Sequence, residues 1–425
     1  MGADRAANEA QAYQKLPLEG IKVLELAQFY AGPMGAAYLR DFGAEVIKVE
    51  DPKFVDPQRK YVNWRGIQIP ERDGRILWFE EMHKGKRSIA LSLDTEKGKG
   101  IFRRLVEHSD VFITNNRRRT LERLGVDYAS LRAINPRLVY VRVTGYGPEG
   151  SDRDKPAFDM AAQARAGLMM YLTRDHKNDD PFMAYMMGDE AGAIATAWGA
   201  TMGIMARERH GVGQLVDTSL LGGVLSFFRS PFFFALTTGR ELETRKRSGG
   251  TTVPLSNVYK CADGLWLVMT AGAILPVYWP RLCTAIGKPD LENDVRFSTA
   301  EARRRNNAEL IKLLDEVFVQ KNRDEWLETL AEYELPASKV NTVVEATNDA
   351  QVETNFVRAM EHPVFGKVRL PSGVPFRMSN VKAISTFEAP ALGQHSEEIL
   401  EEVGYSRSDI AACVEDGTVV NGKGS

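Results

Sequence analysis

Cysteine is scarce in this 425-residue chain: Cys261, Cys283 and Cys413 are the three, and none sits in a CxxC pair. That excludes a disulfide framework and predicts a reducing, cytoplasmic setting. An excess of charge is also missing. Fifty-five Lys and Arg face 57 Asp and Glu, a formal charge of -2, so no overall field draws the chain to nucleic acid or an acidic membrane, and neither is expected as a partner. The histidines, His83, His108, His176, His210, His362 and His395, are isolated and form no HExxH, so no metal site is expected. GxSxG and P-loop patterns are absent, which removes the nucleophile elbow and the Walker phosphate cradle. Long hydrophobic runs are lacking too. The greasiest, LLGGVLSFFRSPFFFAL from Leu220, is broken by Arg229 and Pro231 before it could cross a bilayer, and its aromatics are expected to line an interior or a pocket. The first twenty residues have no apolar core of the signal-peptide kind and read as a polar lead-in.

What remains is ordinary globular composition, 44% hydrophobic and 26% charged. Its length suits two or three folding units, or one large α/β unit with a smaller one inserted. IKVLEL from Ile21 reads as a strand, AQFYAGPMG as a turn, AAYLRDFG as a helix and AEVIKVE as a second strand. Pro33 suits a first helical turn and Gly43 a helix end. SIALSL, DVFITN and LVYVRVTGYG continue as strands alternating with helices through KGKGIFRRLVEHS and YASLRAIN. Such alternation predicts a mostly parallel, doubly wound sheet. DEAGAIATAWGATMGIMARERHG reads as a closely packed helix ending at Gly211, with a strand QLVDTSL beyond it. Arg240 to Gly250 reads as a flexible connection. A hairpin turning at Asp263 and Gly264 and the helices EARRRNNAELIKLLDEVF and RDEWLETLAEY then predict a smaller domain. A closing helix SEEILEEVG carries Ser396 as its expected cap.

Three places could carry chemistry. Backbone N–H groups at the turn Tyr30-Ala31-Gly32-Pro33 could face an anion or a developing oxyanion. A dinucleotide fingerprint would instead need GxGxxG, and only Gly32 and Gly35 are present, with Glu50 where a ribose-binding acid would lie. The run Asn115-Asn116-Arg117-Arg118-Arg119, followed by Arg123, comes directly after a strand and suits phosphates, or a solvated face. Lys84, Lys86 and Arg87 form a second basic cluster. Gly188-Asp189-Glu190 opens the small-residue helix, where Asp189 is a natural cap. The helix dipole there could equally keep a nucleophilic carboxylate ionised, with Gly188 and Gly192 admitting a thioester.

The segment LEGIKVLELAQFYAGPMGAAYLRDFGAEVIKVE resembles the opening of the class III CoA-transferase family, which includes formyl-CoA and carnitine CoA-transferases. KGKRSIALSL, LERLGVDYASLRAINPRLVYVRVTGYGPEG, FDMAAQARAG, GDEAG, RHGVGQLVDTSL, YKCADGLWLVM and GQHSEEILEEVGYSRSDI extend the likeness over nearly the whole chain. The resemblance implies a large Rossmann-like domain from residues 1–225 and 336–425, a small α+β domain from 226–335, and an interlocked homodimer. A heteromer with a related subunit is the alternative. It implies Asp189 as the nucleophile, with Tyr30, Ala31, Gly188 and Glu190 around the oxyanions and acyl group. Asn115, Arg123, Lys86, Arg87 and Asp159 are then expected to meet coenzyme A. CoA thioesters would serve as substrates with no permanently bound cofactor, an acyl-CoA such as succinyl-CoA giving CoA to an acceptor acid. Phe158 stands before Asp159 where the family's racemase branch has a histidine, so an imidazole base for α-proton movement is missing. An acyl-CoA racemase or isomerase is the second reading, and a nicotinamide oxidoreductase the third. Phe227, Phe228, Phe232, Phe233 and Phe234, with Met169, Met170, Met183, Met186 and Met187, suggest a bulky acyl pocket or plain core packing.

Overall fold

The computed structural model describes residues 16–173, 180–242, 247, 253–272, 276–373, 375–379, 381 and 388–422. The start of the lead-in, His176 and most of the Arg240–Gly250 connection lie outside the described residues. A seven-stranded sheet is built from β1 (Lys22–Leu26), β2 (Glu45–Glu50), β3 (Arg87–Leu91), β4 (Val111–Thr114), β5 (Val139–Thr144), β6 (Leu215–Ser219) and β7 (Val419–Val420). Their spatial order is β6-β5-β4-β1-β2-β3-β7. The first six run parallel, and β7 joins the β3 edge antiparallel. This is the doubly wound 3-2-1-4-5-6 order, whose direction reverses between β1 and β4.

Both faces of the sheet are buried, which is why its strands read as near-continuous apolar runs. Val23, Val46, Val111, Ile113 and Val141 face one way, against Ala36, Leu39, Ala200 and Ile204. Leu24, Ile47, Ile89, Phe112 and Tyr140 face the other, against Ile101, Phe102, Leu131, Ile399 and Leu400. Three helices position the site: α1 (Ala31–Asp41), α2 (Asp159–Arg165) and α3 (Met187–His210). The small residues of α3 have the expected packing role. A Cβ on Gly35 of α1 would come within 2.6 Å of the Thr196 side chain on α3, so the two helices approach more closely than side chains would permit.

Two compact units divide the chain. The large one holds Met1–Met170, Pro181–Phe233 and Phe356–Ser425, and the small one Tyr171–Asp180 and Phe234–Asn355. The small unit folds three antiparallel strands, Val258–Lys260, Trp266–Met269 and Ala337–Val340, over a core including Tyr259, Trp279, Leu314 and Trp326. The chain therefore returns to the large unit at Phe356 rather than 336, because Ala337–Val340 pairs with Trp266–Met269. Ser396 is the first helical residue rather than the cap, and its buried hydroxyl ties Ala90 N–H to Val420 C=O. No single helix among the described residues is long and apolar enough to cross a membrane. The greasy segment forms two helices, Leu220–Phe227 and Arg229–Thr238, bent by 85° at the break between them.

Candidate active site

β1 and β4 stay paired to their last residues, Leu26 and Thr114, and their carboxyl ends mark the reversal point, where open α/β sheets receive ligands. After β1 the chain makes the turn Ala27–Tyr30 and enters α1 at Ala31. Asn115, just past β4, braces that turn: its Oδ1 accepts from Gln28 N–H at 3.0 Å and its Nδ2 donates to Gln28 C=O at 2.6 Å. Phe29 is left-handed, φ 64°, a strained conformation for a bulky residue. Its N–H reaches Asp56 Oδ1 at 3.3 Å, and its ring meets Phe158 edge-on at 5.5 Å.

Charges buried under the turn hold it from below. Glu25 on β1 and Lys48 on β2 are register partners, and Lys48 Nζ donates to Glu25 (3.0 Å), Asp56 (3.0 Å) and Ala27 C=O (2.9 Å). Lys86 Nζ donates to the other Glu25 oxygen and to Pro33 C=O, both at 2.7 Å, and lies 3.2 Å from His83 Nδ1. Burial pushes Lys86 down to about 8, with Glu25 opposing the fall and Lys48 adding to it. Lys86 is fully enclosed, so its expected contact with CoA gives way to a role within the protein. Arg87 is diverted likewise: it grips both Glu402 oxygens at 2.8 Å and pairs with Glu45. Glu50, the would-be ribose ligand, is buried and clasped by Arg59 through Nε at 2.9 Å and Nη2 at 2.6 Å. Arg123 stays exposed, in an ion pair with Asp94 at 2.8 Å.

The amino end of α3 carries the main candidate. The helix begins at Met187, after a left-handed Met186 (φ 65°), so Asp189 is its third residue and not its cap. Asp159, on α2, caps it instead. One carboxylate oxygen accepts from Gly188 N–H at 2.6 Å and Asp189 N–H at 3.2 Å, and the other from Met186 N–H at 2.9 Å and Gln163 Nε2 at 3.0 Å. Asp159 is thus a brace for α3. A Cβ at Gly188 would fall 2.8 Å from Asp159 C=O, and one at Gly192 would fall 2.6 Å from Leu220. Both glycines therefore serve helix packing. The helix N–H groups meant to keep Asp189 ionised are already engaged by Asp159. Asp189 is accordingly pushed up to about 7, by burial first and then by the negative Asp159 and Glu190.

Glu190 turns toward α1, where Tyr30 O–H donates to it at 2.5 Å and the Tyr38 phenol lies nearby. Burial raises its pKa while the two phenols oppose the rise. Beside this pair opens a cavity of about 470 Å³, lined by residues that include Tyr30, Tyr38, Trp78, Glu81, Glu190 and Leu370. The aromatic run lies elsewhere. Phe227, Phe232, Phe233 and Phe234 are 38–65% exposed and none lines this cavity. Trp78, Glu81 and Tyr38 carried no motif in the sequence. Glu25 and Lys48 did leave a signal, as charges inside otherwise apolar parallel strands. Among the described residues no group of three His, Cys, Asp or Glu is placed to hold a metal ion.

Comparison with known proteins agrees with this architecture. The succinyl-CoA–D-citramalate CoA-transferase of Chloroflexus aurantiacus is 35% identical, over 93% of this chain and 96% of its own length. The cinnamoyl-CoA:phenyllactate CoA-transferase of Clostridium sporogenes is 28% identical, over 94% and 97%. A crystal structure of a CAIB/BAIF family protein from Brucella suis superposes with a TM-score of 0.76 at 29% identity, covering 92% of this chain and all of that one. The sequence model described as CoA-transferase family III matches residues 18–396, and the chain belongs to that family.

Proposed function

We propose that the enzyme moves CoA from an acyl-CoA donor to an acceptor carboxylic acid through covalent intermediates on Asp189. The Asp189 carboxylate attacks the donor carbonyl, the C–S bond breaks, and CoA thiolate leaves an acyl-aspartyl anhydride. The thiolate then attacks the aspartyl carbonyl, the donor acid departs as carboxylate, and an aspartyl-CoA thioester remains. The acceptor carboxylate takes that carbonyl in turn and releases thiolate. Return of the thiolate to the acceptor's acyl carbon frees Asp189 and gives the new thioester. Every bond broken is replaced, and no proton or redox partner is consumed. Holding the groups together supplies much of the rate. Ala31 and Gly32 N–H, at the start of α1 and without acceptors inside the helix, are the oxyanion donors in this reading. The exposed Arg123 is the CoA contact.

The observation that carries the reading is Asp189 itself, a semi-buried carboxylate at a braced helix start, next in sequence to a residue that lines a cavity, in a chain of this family. Its setting would be a reducing cytoplasm, as a homodimer. Hydroxylamine tests it, because it converts an activated carboxylate into a hydroxamate. After incubation with succinyl-CoA or butyryl-CoA, peptide mass mapping is expected to find the hydroxamate on Asp189, and none in Asp189→Ala. An unmodified Asp189 peptide with both thioesters would reject the assignment.

A further inference from the structure

We propose that the cavity beside Tyr30 and Glu190 selects acids whose chain beyond the reacting carboxyl is apolar and ends in a hydrogen-bond donor, and disfavours a second carboxylate there. This rests on the assignment of Asp189 as nucleophile, since Glu190 is its neighbour on α3 and Tyr30 adjoins the start of α1. The cavity, about 470 Å³, has room for a short acyl chain. Its walls are mostly apolar, with Met34, Ile69, Leu77 and Leu370 among them.

The polar groups at the wall decide its selectivity. They are two carboxylates, Glu81 and Glu190, the two phenols of Tyr30 and Tyr38, and the Trp78 indole, and no Lys, Arg or His lines the cavity among its described residues. Lys84 pairs with Glu81 at 3.3 Å but is not part of the wall. Tyr30 directs its hydrogen at Glu190, so what that phenol offers a ligand is oxygen lone pairs. A hydroxyl, amide or ammonium N–H finds acceptors here. A second carboxylate would lose its water beside two like charges and find no cation. Succinate, the donor acid expected from the sequence, is on this ground a poor substrate.

The test is a matched pair of acceptors, succinamate and succinate, nearly equal in size and differing by one charge. Full-length protein is given butyryl-CoA as donor, and the two CoA products are followed by mass spectrometry. Succinamate is expected to be favoured in kcat/KM by about tenfold, the size of one unscreened like-charge contact. Glu81→Gln, which leaves Lys84 without its partner, is expected to narrow the gap at least about threefold. Equal or preferred use of succinate by the wild-type chain overturns the proposal, as does activity with succinyl-CoA but none with butyryl-CoA. In those cases Asp189 still forms its hydroxamate, so the nucleophile assignment survives. If neither thioester labels Asp189, that assignment falls and this proposal with it.

Discussion

Asp159 and Asp189 come from different helices, thirty positions apart in sequence, yet one carboxylate holds the backbone of the other. Their closeness has an electrostatic cost that sets a working pH. The proposed attack requires ionised Asp189, whose pKa is pushed up to about 7 by burial, Asp159 and Glu190. Activity is therefore expected to fall as pH drops through about 7. Asp159→Asn keeps an oxygen for Gly188 N–H but removes one negative neighbour, so the pKa of Asp189 falls. The acid limb of kcat/KM should move to lower pH by about one unit, while kcat declines because the amide accepts fewer N–H bonds. An acid limb that stays in place would show that Asp159 acts as a brace alone. The GDE triplet is what singles out Asp189 in the sequence as the candidate nucleophile. The true cap of its helix was not legible there, because an N–H acceptor supplied by another helix leaves no local pattern.

Elements were legible where periodicity and burial agree. The two strands of the βαβ opening, the small-residue helix and the turn at Asp263 and Gly264 all follow from apolar spacing and glycine position, and each forms near its expected bounds. Errors arose where tertiary contacts override local signals. Helix α1 starts at Ala31 rather than Ala36, with the turn before it pinned by Asn115 and Asp56. Lys86 and Arg87 looked like a phosphate patch because sequence cannot tell a solvated cation from one paired with Glu25 or Glu402 across the fold. The α1–α3 contact tests the packing argument directly. Gly35→Ala would place a methyl 2.6 Å from Thr196 and 3.2 Å from Ala193 C=O. It should destabilise the chain by about 1–3 kcal/mol in urea titration, and lower activity by shifting Tyr30 against Glu190. Unchanged stability would mean the helices can slide apart at little cost.

The whole molecule joins distant parts of the chain in one sheet. Ile399, Leu400, Val403, Ile410 and Val419 enter the same core as Leu24, Ile89 and Phe112. A chain ended after residue 387 would strip that core and leave β3 as an open edge. Such a chain is expected to lose the near-UV circular dichroism of the intact protein and to bind a hydrophobic dye. A cooperative, native-like unfolding curve with an undiminished denaturant slope would contradict this.

That last strand also imposes an order on birth at the ribosome. The three-stranded sheet of the small unit has all its residues once Val340 has emerged, whereas the large sheet waits some eighty residues more for Val419 and Val420. Synthesis advances by roughly 5–20 residues each second, so the stretch from Ser219 to Val419 leaves the nascent chain for roughly 10–40 seconds with β1 to β6 made and one edge bare. During that interval the unfinished sheet is a client for chaperones, and a slow codon late in the message would lengthen its exposure.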